Sequence, residues 1–296
     1  MNKIIFKILR LSGLPFLFRM IYQKSQVSIL LFHELSVDNA KIIFNFLINN
    51  YNIIDLSVYI KAMEEGDFSK IPKNAMILTF DDGHMSNYKL LPIIKSMKIP
   101  ITIFLCSGII NSNRKFWFRH IDSSAEVTFL KKLSNNERLK RMEKCNFDQE
   151  KEFSEPQSLS KKQILEMKKF INLQSHTVFH PCLPKCCSKE AKFEIYKSKE
   201  KLECEYGMNI NTISYPNGDY SEREILLAKN SGYKCGITVD FGFNSSNTDI
   251  FRLKRFSGPS TRNIDEIIVK SSGVWSFLKS RNGRKQNYGY TENFNN

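Results

Sequence analysis

Two short stretches of the 296-residue chain carry side chains able to act on a substrate together. T-F-D-D-G-H sets Asp81 and Asp82 side by side ahead of Gly83, and H-T-V-F-H-P sets His176 and His180 four residues apart. Adjacent carboxylates repel, so one of them calls for a cation or a shared proton. Alone, the acidic pair reads more simply as a helix cap and a turn, since Asp is favoured in both. The imidazoles change that balance. On one helical or turn-like loop, a spacing of four presents both rings to the same side. Two neutral imidazoles and a carboxylate form a facial set for Zn, Fe, Co or Ni, with positions left for water and substrate. A rival grouping exists in Cys182, Cys186 and Cys187, which with His180 would make a closed, structural thiolate site. No C-x-x-C unit accompanies it, and adjacent thiolates reach a common ion only with strain.

The elements that must position these residues read as alternating strands and helices. V-S-I-L-L-F, A-M-I-L-T-F and I-T-I-F-L-C are nearly unbroken apolar runs, the signature of strands buried on both faces. I-N-L-Q-S-H, N-T-I-S-Y, Y-K-C-G-I-T-V and R-L-K-R-F continue the series, with helical stretches expected over 41–49, 56–65, 87–97, 161–170, 189–206 and 221–231. About seven strands with helices between them predict a mostly parallel sheet, closed or nearly closed into a barrel. Such a sheet collects its chemistry at the C-terminal strand ends, where His33, the Asp81–Asp82 pair, His176, Tyr215 and Pro216 fall, with Arg252 and Arg255 flanking the last strand. Residues 111–159 form a polar excursion containing F-W-F-R-H and a Lys/Glu-rich helix, too poor in apolar residues for a core of its own. The expected division is an N-terminal amphipathic segment over 1–26, one catalytic domain over 27–275, and a polar tail over 276–296, frayed from 281 onward.

The hydrophobic fraction of 42% suits a substantial core, which excludes disorder, collagen-like repeats and a membrane bundle. Lys plus Arg number 44 against 30 Asp plus Glu, a net charge of +14. The basic residues are dispersed and no recognition motif accompanies them, so nucleic acid is not expected as a partner. Near the N-terminus, Lys3, Lys7, Arg10, Arg19 and Lys24 interrupt Ile4, Phe6, Leu9, Leu11, Leu14, Phe16, Phe18 and Ile21. The pattern fits a helix lying in a lipid headgroup layer and equally one packed on the core. Neither an export signal nor a membrane-spanning helix is read there. Seven cysteines without regular spacing point to a reducing compartment. The expected location is therefore cytoplasmic, at the inner membrane face if the first helix lies on lipid.

Thr79–Gly83 and His176–Pro181 resemble the first two motifs of the polysaccharide deacetylase family, carbohydrate esterase family four, and S-Y-P-N-G at Ser214–Gly218 resembles the third. The similarity runs in order from about Val27 to Phe256. It implies a distorted (β/α)7 barrel and hydrolysis of acetyl groups from amino sugars. It also implies Asp81 as general base and Asp82, His176 and His180 as ligands of a divalent metal, Zn first, with Co, Ni or Fe as alternatives. The late L-x-x-H motif that supplies an acid in many members is missing, because the five histidines are His33, His84, His120, His176 and His180. F-H-E-L at Phe32–Leu35 resembles the Y-H-x-I element of the branch acting on poly-N-acetylglucosamine, which makes His33 the candidate acid; its plainer reading is a hydrogen-bonded His at a strand end. R-L-K-R-F resembles the late R-x-P-R element, placing Arg255 where it holds Asp81 ionised, or else in a surface salt bridge. A backbone N–H near Tyr215, in a turn fixed by Pro216 and Gly218, is the expected oxyanion donor. His84 is read as a supporting or surface residue, while Trp117, Phe118 and His120 stack on a sugar or anchor their loop. Three functions follow: an N-deacetylase of a cell-envelope glycan or its lipid-linked precursor, a non-catalytic glycan-binding relative, and an enzyme cleaving an O-acetyl ester or a cyclic amide at the same site.

Overall fold

Apolar runs with no polar interruption need cover on both faces, and a curled sheet wrapped in helices supplies it. The computed structural model describes residues 2–281. Its strands are β1 (Ser28–Phe32), β2 (Asn52–Ile53), β3 (Ala75–Phe80), β4 (Thr102–Leu105), β5 (Asn172–Ser175), β6 (Thr212–Ser214), β7 (Cys235–Ile237) and β8 (Phe256–Ser257). Seven of them pair in the parallel order β7-β6-β5-β4-β3-β1-β8, with the short β2 beside β3. The chain leading into β8 bonds to β7: Gly236 N–H donates to Ile250 O, Leu253 N–H to Gly236 O and Thr238 N–H to Leu253 O, at 2.9–3.0 Å. The sheet thus curls towards closure as a distorted (β/α)7 barrel.

Side-chain parity then sorts the core into two layers. Leu30, Phe32, Met76, Leu78, Phe80, Ile103 and Leu105 face out and pack on the helices, as with Ile43, Phe44 and Leu47 of Val37–Asn50. Ile29, Ile77, Phe104, Cys235, Ile237 and Leu253 face in, joined by Leu56, Tyr59 and Ile60 of the helix Leu56–Glu65. Carried one step past β1, β3 and β5, the same alternation aims His33, Asp81 and His176 inward at the barrel mouth, and Arg255, one residue ahead of β8, faces inward too.

The excursion over 111–159 builds two helices, Ser124–Leu130 and Asn135–Glu143, whose apolar side chains gather with Trp117, Phe147 and Cys182 against the barrel. R-L-K-R-F yields only Phe256–Ser257 as strand, with Leu253 in a single parallel bridge to Ile237 and the Arg255 guanidinium turned into the interior. Where a polar tail is expected from 276, the helix Val274–Arg281 continues. Trp275 packs against Phe6 at 4.8 Å and Phe277 against Phe18 at 5.3 Å. The remainder of the expected tail lies outside the described residues.

Candidate metal and catalytic site

Asp81 keeps the inward parity of Ile77 and Thr79 and lands on Arg255, whose two terminal nitrogens donate to Oδ1 and Oδ2, both at 2.8 Å. Arg255 is held in turn: Nε donates to Thr238 O at 2.8 Å and Nη2 to Ser214 Oγ at 3.0 Å. Both charged groups are buried. Burial alone would raise the Asp81 carboxyl, but the Arg255 guanidinium and His176 outweigh it and hold the group well below the usual carboxylate range. The pairing is a bidentate fork and not a surface salt bridge.

Asp82 departs from the strand with φ 74°, a left-handed conformation costly for a residue with a Cβ. Its carboxylate meets the two imidazoles and makes no bond to Arg255. Asp82 Oδ1 lies 3.5 Å from His176 Nε2 and 3.4 Å from His180 Nε2, and the two rings meet edge to face at 4.8 Å. His176 Nδ1 is 2.7 Å from the carbonyl of Ser214, which can only accept, so Nδ1 carries a proton and Nε2 is the nitrogen turned to Asp82. Thr177 and His180 are also left-handed, at φ 66° and 57°. The strained loop is braced by Glu194 Oε2, which accepts from Val178 N–H at 2.7 Å and Phe179 N–H at 2.9 Å, and by Trp117 Nε1, which donates to His180 O at 2.8 Å.

Around this centre opens a cavity of about 380 Å³, edged by His33, Phe118, Lys131, Asn217, Asp219 and Val239. That is room for a small ligand. Phe118 packs against the His180 ring at 4.8 Å. Burial pushes the Asp219 carboxyl up to about 6, against the pull of Lys131 and Lys185.

With two imidazoles and a carboxylate on one point, a comparison with known proteins decides the family. The polysaccharide deacetylase family model matches residues 69–236. The chain belongs to the polysaccharide deacetylase family. Among curated relatives, YxkH of Bacillus subtilis (strain 168), named for the same family, is 23% identical over 188 residues, 63% of this chain. The chain spans about half the length of that relative, 52%. Two solved structures share the fold. The Streptococcus pyogenes deacetylase PplD in complex with acetate has a TM-score of 0.60 and 20% identity, covering 83% of this chain and 99% of that one. IcaB from Ammonifex degensii has a TM-score of 0.58 and 14% identity, covering 84% and 98%.

Within this family fold, Asp81, Asp82, His176, His180 and Arg255 converge, and His33 stands exposed at the rim of the same cavity. The third motif sits differently from expectation. Tyr215 has the outward parity of Ile213, so its ring lies in the outer layer against Tyr220, and its N–H donates to Ile237 O at 3.0 Å. Gly218 N–H donates to Tyr215 O at 2.8 Å, and Pro216 has no N–H. Asn217, left-handed at φ 58°, is the residue of this turn that edges the cavity, and its N–H has no acceptor among the described residues. Gly218 is required sterically, since a Cβ there would fall 2.2 Å from Val239 Cγ2.

The thiolate grouping does not assemble. Among the described residues, Asp82, His176 and His180 form the only cluster of at least three ligand-type side chains placed for one ion. Cys182 and Cys186 are buried apart from it, and Cys187 precedes the helix Ser188–Tyr206. His84 caps a 3-10 turn through Ser86 N–H, while His120 binds the carbonyl of Cys145 and packs on Phe147 and Phe153, anchoring the excursion. Ser214 and Asn217 lie inside the third motif without a role having been read for them, the Pro-Asn-Gly turn being the available signal for Asn217, and Glu194 lies outside every motif.

The cluster fits a divalent ion. Asp82 Oδ1 and His180 Nδ1 are buried without a hydrogen-bond partner among the described residues. The three candidate ligand atoms lie within 4.8 Å of one another, and their N, N, O chemistry suits Zn, Co, Ni or Fe. Burial raises the Asp82 carboxyl and lowers His180 well below the ordinary imidazole range. A neutral imidazole is the form a metal takes.

Proposed function

We propose that the chain is a metal-dependent hydrolase that removes N-acetyl groups from amino sugars of a cell-envelope glycan or its lipid-linked precursor. The observation carrying this reading is the division of labour at the acidic pair: Asp82 aims at two imidazoles while Asp81, one residue away, is clamped by Arg255. A divalent ion held by Asp82, His176 and His180 would polarise the acetyl carbonyl and lower the pKa of a water. Asp81 stays ionised throughout the working pH range and accepts the proton of the attacking water. Its two guanidinium bonds weaken it as a base but fix its direction, and orientation is the larger requirement for a group a single proton transfer away from its target. The N–H of Asn217 donates to the oxygen that becomes negative, a role that the bonded N–H groups of Tyr215 and Gly218 cannot take. His33, at the open rim, delivers a proton to the departing amine, and Phe118 offers a ring face to the sugar.

The test is acetate release from N-acetylglucosamine oligomers by the protein loaded with Zn, Co or Ni, beside an O-acetylated sugar as competitor. Asp81→Asn should lower turnover by about 10²–10⁴-fold, the usual contribution of a positioned base. Unchanged turnover by Asp81→Asn would refute its role. Oligomer binding without acetate release from either substrate would favour the non-catalytic reading, and faster release from the ester would reassign the bond cleaved.

A further inference from the structure

The helix Asn2–Leu11 is apolar on two opposite faces. Phe6 and Leu9 pack into a cluster with Val269, Val274 and Trp275. At 100° per residue, Ile4, Ile8 and Leu11 fall within about 60° of arc on the other side. They are exposed by 67%, 62% and 74%. A helix that only covers a core needs one apolar stripe. Beyond Gly13, whose φ of 74° breaks the helix, a second stripe forms from Phe16, Leu17, Met20 and Ile21, also exposed. Nine of the twenty-one large apolar side chains exposed among the described residues fall between Ile4 and Tyr22. Such a concentration marks an interaction surface.

The charges choose the occupant. No acidic residue precedes Glu34. Lys3 and Lys7 border the first stripe and Lys24 ends the second, all exposed and without a carboxylate partner among the described residues, whereas Arg10 is paired with Asp265 at 2.8 Å. A second copy seated on this surface about a two-fold axis would set these lysines against themselves. No helix among the described residues is long and apolar enough to cross a membrane. We infer that this face docks in the plane of an anionic lipid surface, with Ile4, Ile8, Leu11, Phe16 and Ile21 entering the acyl boundary and Lys3, Lys7 and Lys24 meeting the headgroups. The inference stands whether or not the cavity is a deacetylase site.

The experiment is co-sedimentation of the full chain with phosphatidylcholine vesicles, with and without phosphatidylglycerol, at low and high salt. Binding should require phosphatidylglycerol and weaken with salt. The variant Lys3→Gln/Lys7→Gln/Lys24→Gln should bind roughly a hundredfold less tightly, each lysine near such a surface contributing about fivefold. Ile4→Ser/Ile8→Ser/Ile21→Ser should reduce binding at least as far. Both sets of positions are exposed, and an unchanged near-ultraviolet circular dichroism spectrum confirms the fold. Equal binding to both vesicle types overturns the inference, as does full binding by the serine variant. A dimer in light scattering that Ile8→Glu dissociates, with no vesicle binding by the parent, assigns the face to a second copy instead.

Discussion

Asp81 and Asp82 share a peptide bond and little else. The Asp81 carboxylate accepts from both terminal nitrogens of Arg255 and from Ser214 Oγ; Asp82 Oδ1 has no hydrogen-bond partner among the described residues. Their substitutions should therefore move stability in opposite directions. Arg255→Ala leaves Asp81 buried and unpaired, and should cost about 3–5 kcal/mol in urea denaturation. Asp82→Asn removes a buried, unpartnered charge, and should raise the stability of the metal-free protein by about 1–3 kcal/mol while abolishing the thermal shift produced by added Zn. A loss of metal-free stability in Asp82→Asn would show that its carboxylate is satisfied in a way the geometry does not contain. Asp82 is also strained, with Thr177, His180 and Asn217, in the left-handed region. Backbone strain gathered at one cavity is a signature of function set above stability.

At the scale of elements, the loop carrying both imidazoles depends on the helix Ser188–Tyr206 through one buried carboxyl. Burial pushes Glu194 up to about 7 from its ordinary 4.5, although Val178 and Phe179 N–H donate to Oε2. Oε1 takes no part in those bonds and can carry the proton. The native protein thus binds that proton more tightly than the unfolded chain between these values, so stability falls as pH rises through the window and is level above it, by about 3 kcal/mol at most. Glu194→Gln keeps an acceptor for both N–H groups, and should flatten this part of the melting-temperature profile between pH 4.5 and 7. Glu194→Ala should lose roughly 2–4 kcal/mol and weaken metal binding. A parallel pH profile for wild type and Glu194→Gln would remove the assignment. None of this was legible in the sequence, where Glu194 is one of several acids on a charged helix and its partner is a loop fifteen residues earlier. The first strands were legible because they are nearly unbroken apolar runs, the later ones because they continue the alternation with helices, and parity past their ends already implies which way His33, Asp81 and His176 point. Tyr215 shows the limit: its place in a motif named it, but its parity turns it outward, and only the closed turn reveals Asn217.

For the whole molecule, the N-terminal segment is read in two ways from sequence, as a wall of the core or as a lipid-facing helix, and in the structure one face packs on the core while the opposite one is exposed. Gln23, fully buried, donates to Ser28 Oγ at 2.8 Å and Ser271 O at 2.9 Å, tying the end of the segment to β1 and to the helix Ile264–Ser271. Deleting residues 1–26 would therefore strip the cover from Val269, Val274 and Trp275 and confuse a lost surface with a lost fold. Single substitutions separate the two. Phe6→Ala opens a cavity in that cluster and should cost about 3 kcal/mol. Ile8→Ala and Ile21→Ala, at side chains 62% exposed, should change urea stability by less than about 0.5 kcal/mol, as substitutions at the surface do. If Ile8→Ala costs as much as Phe6→Ala, the outer stripe is already covered in the soluble protein, and the surface is not free to meet lipid.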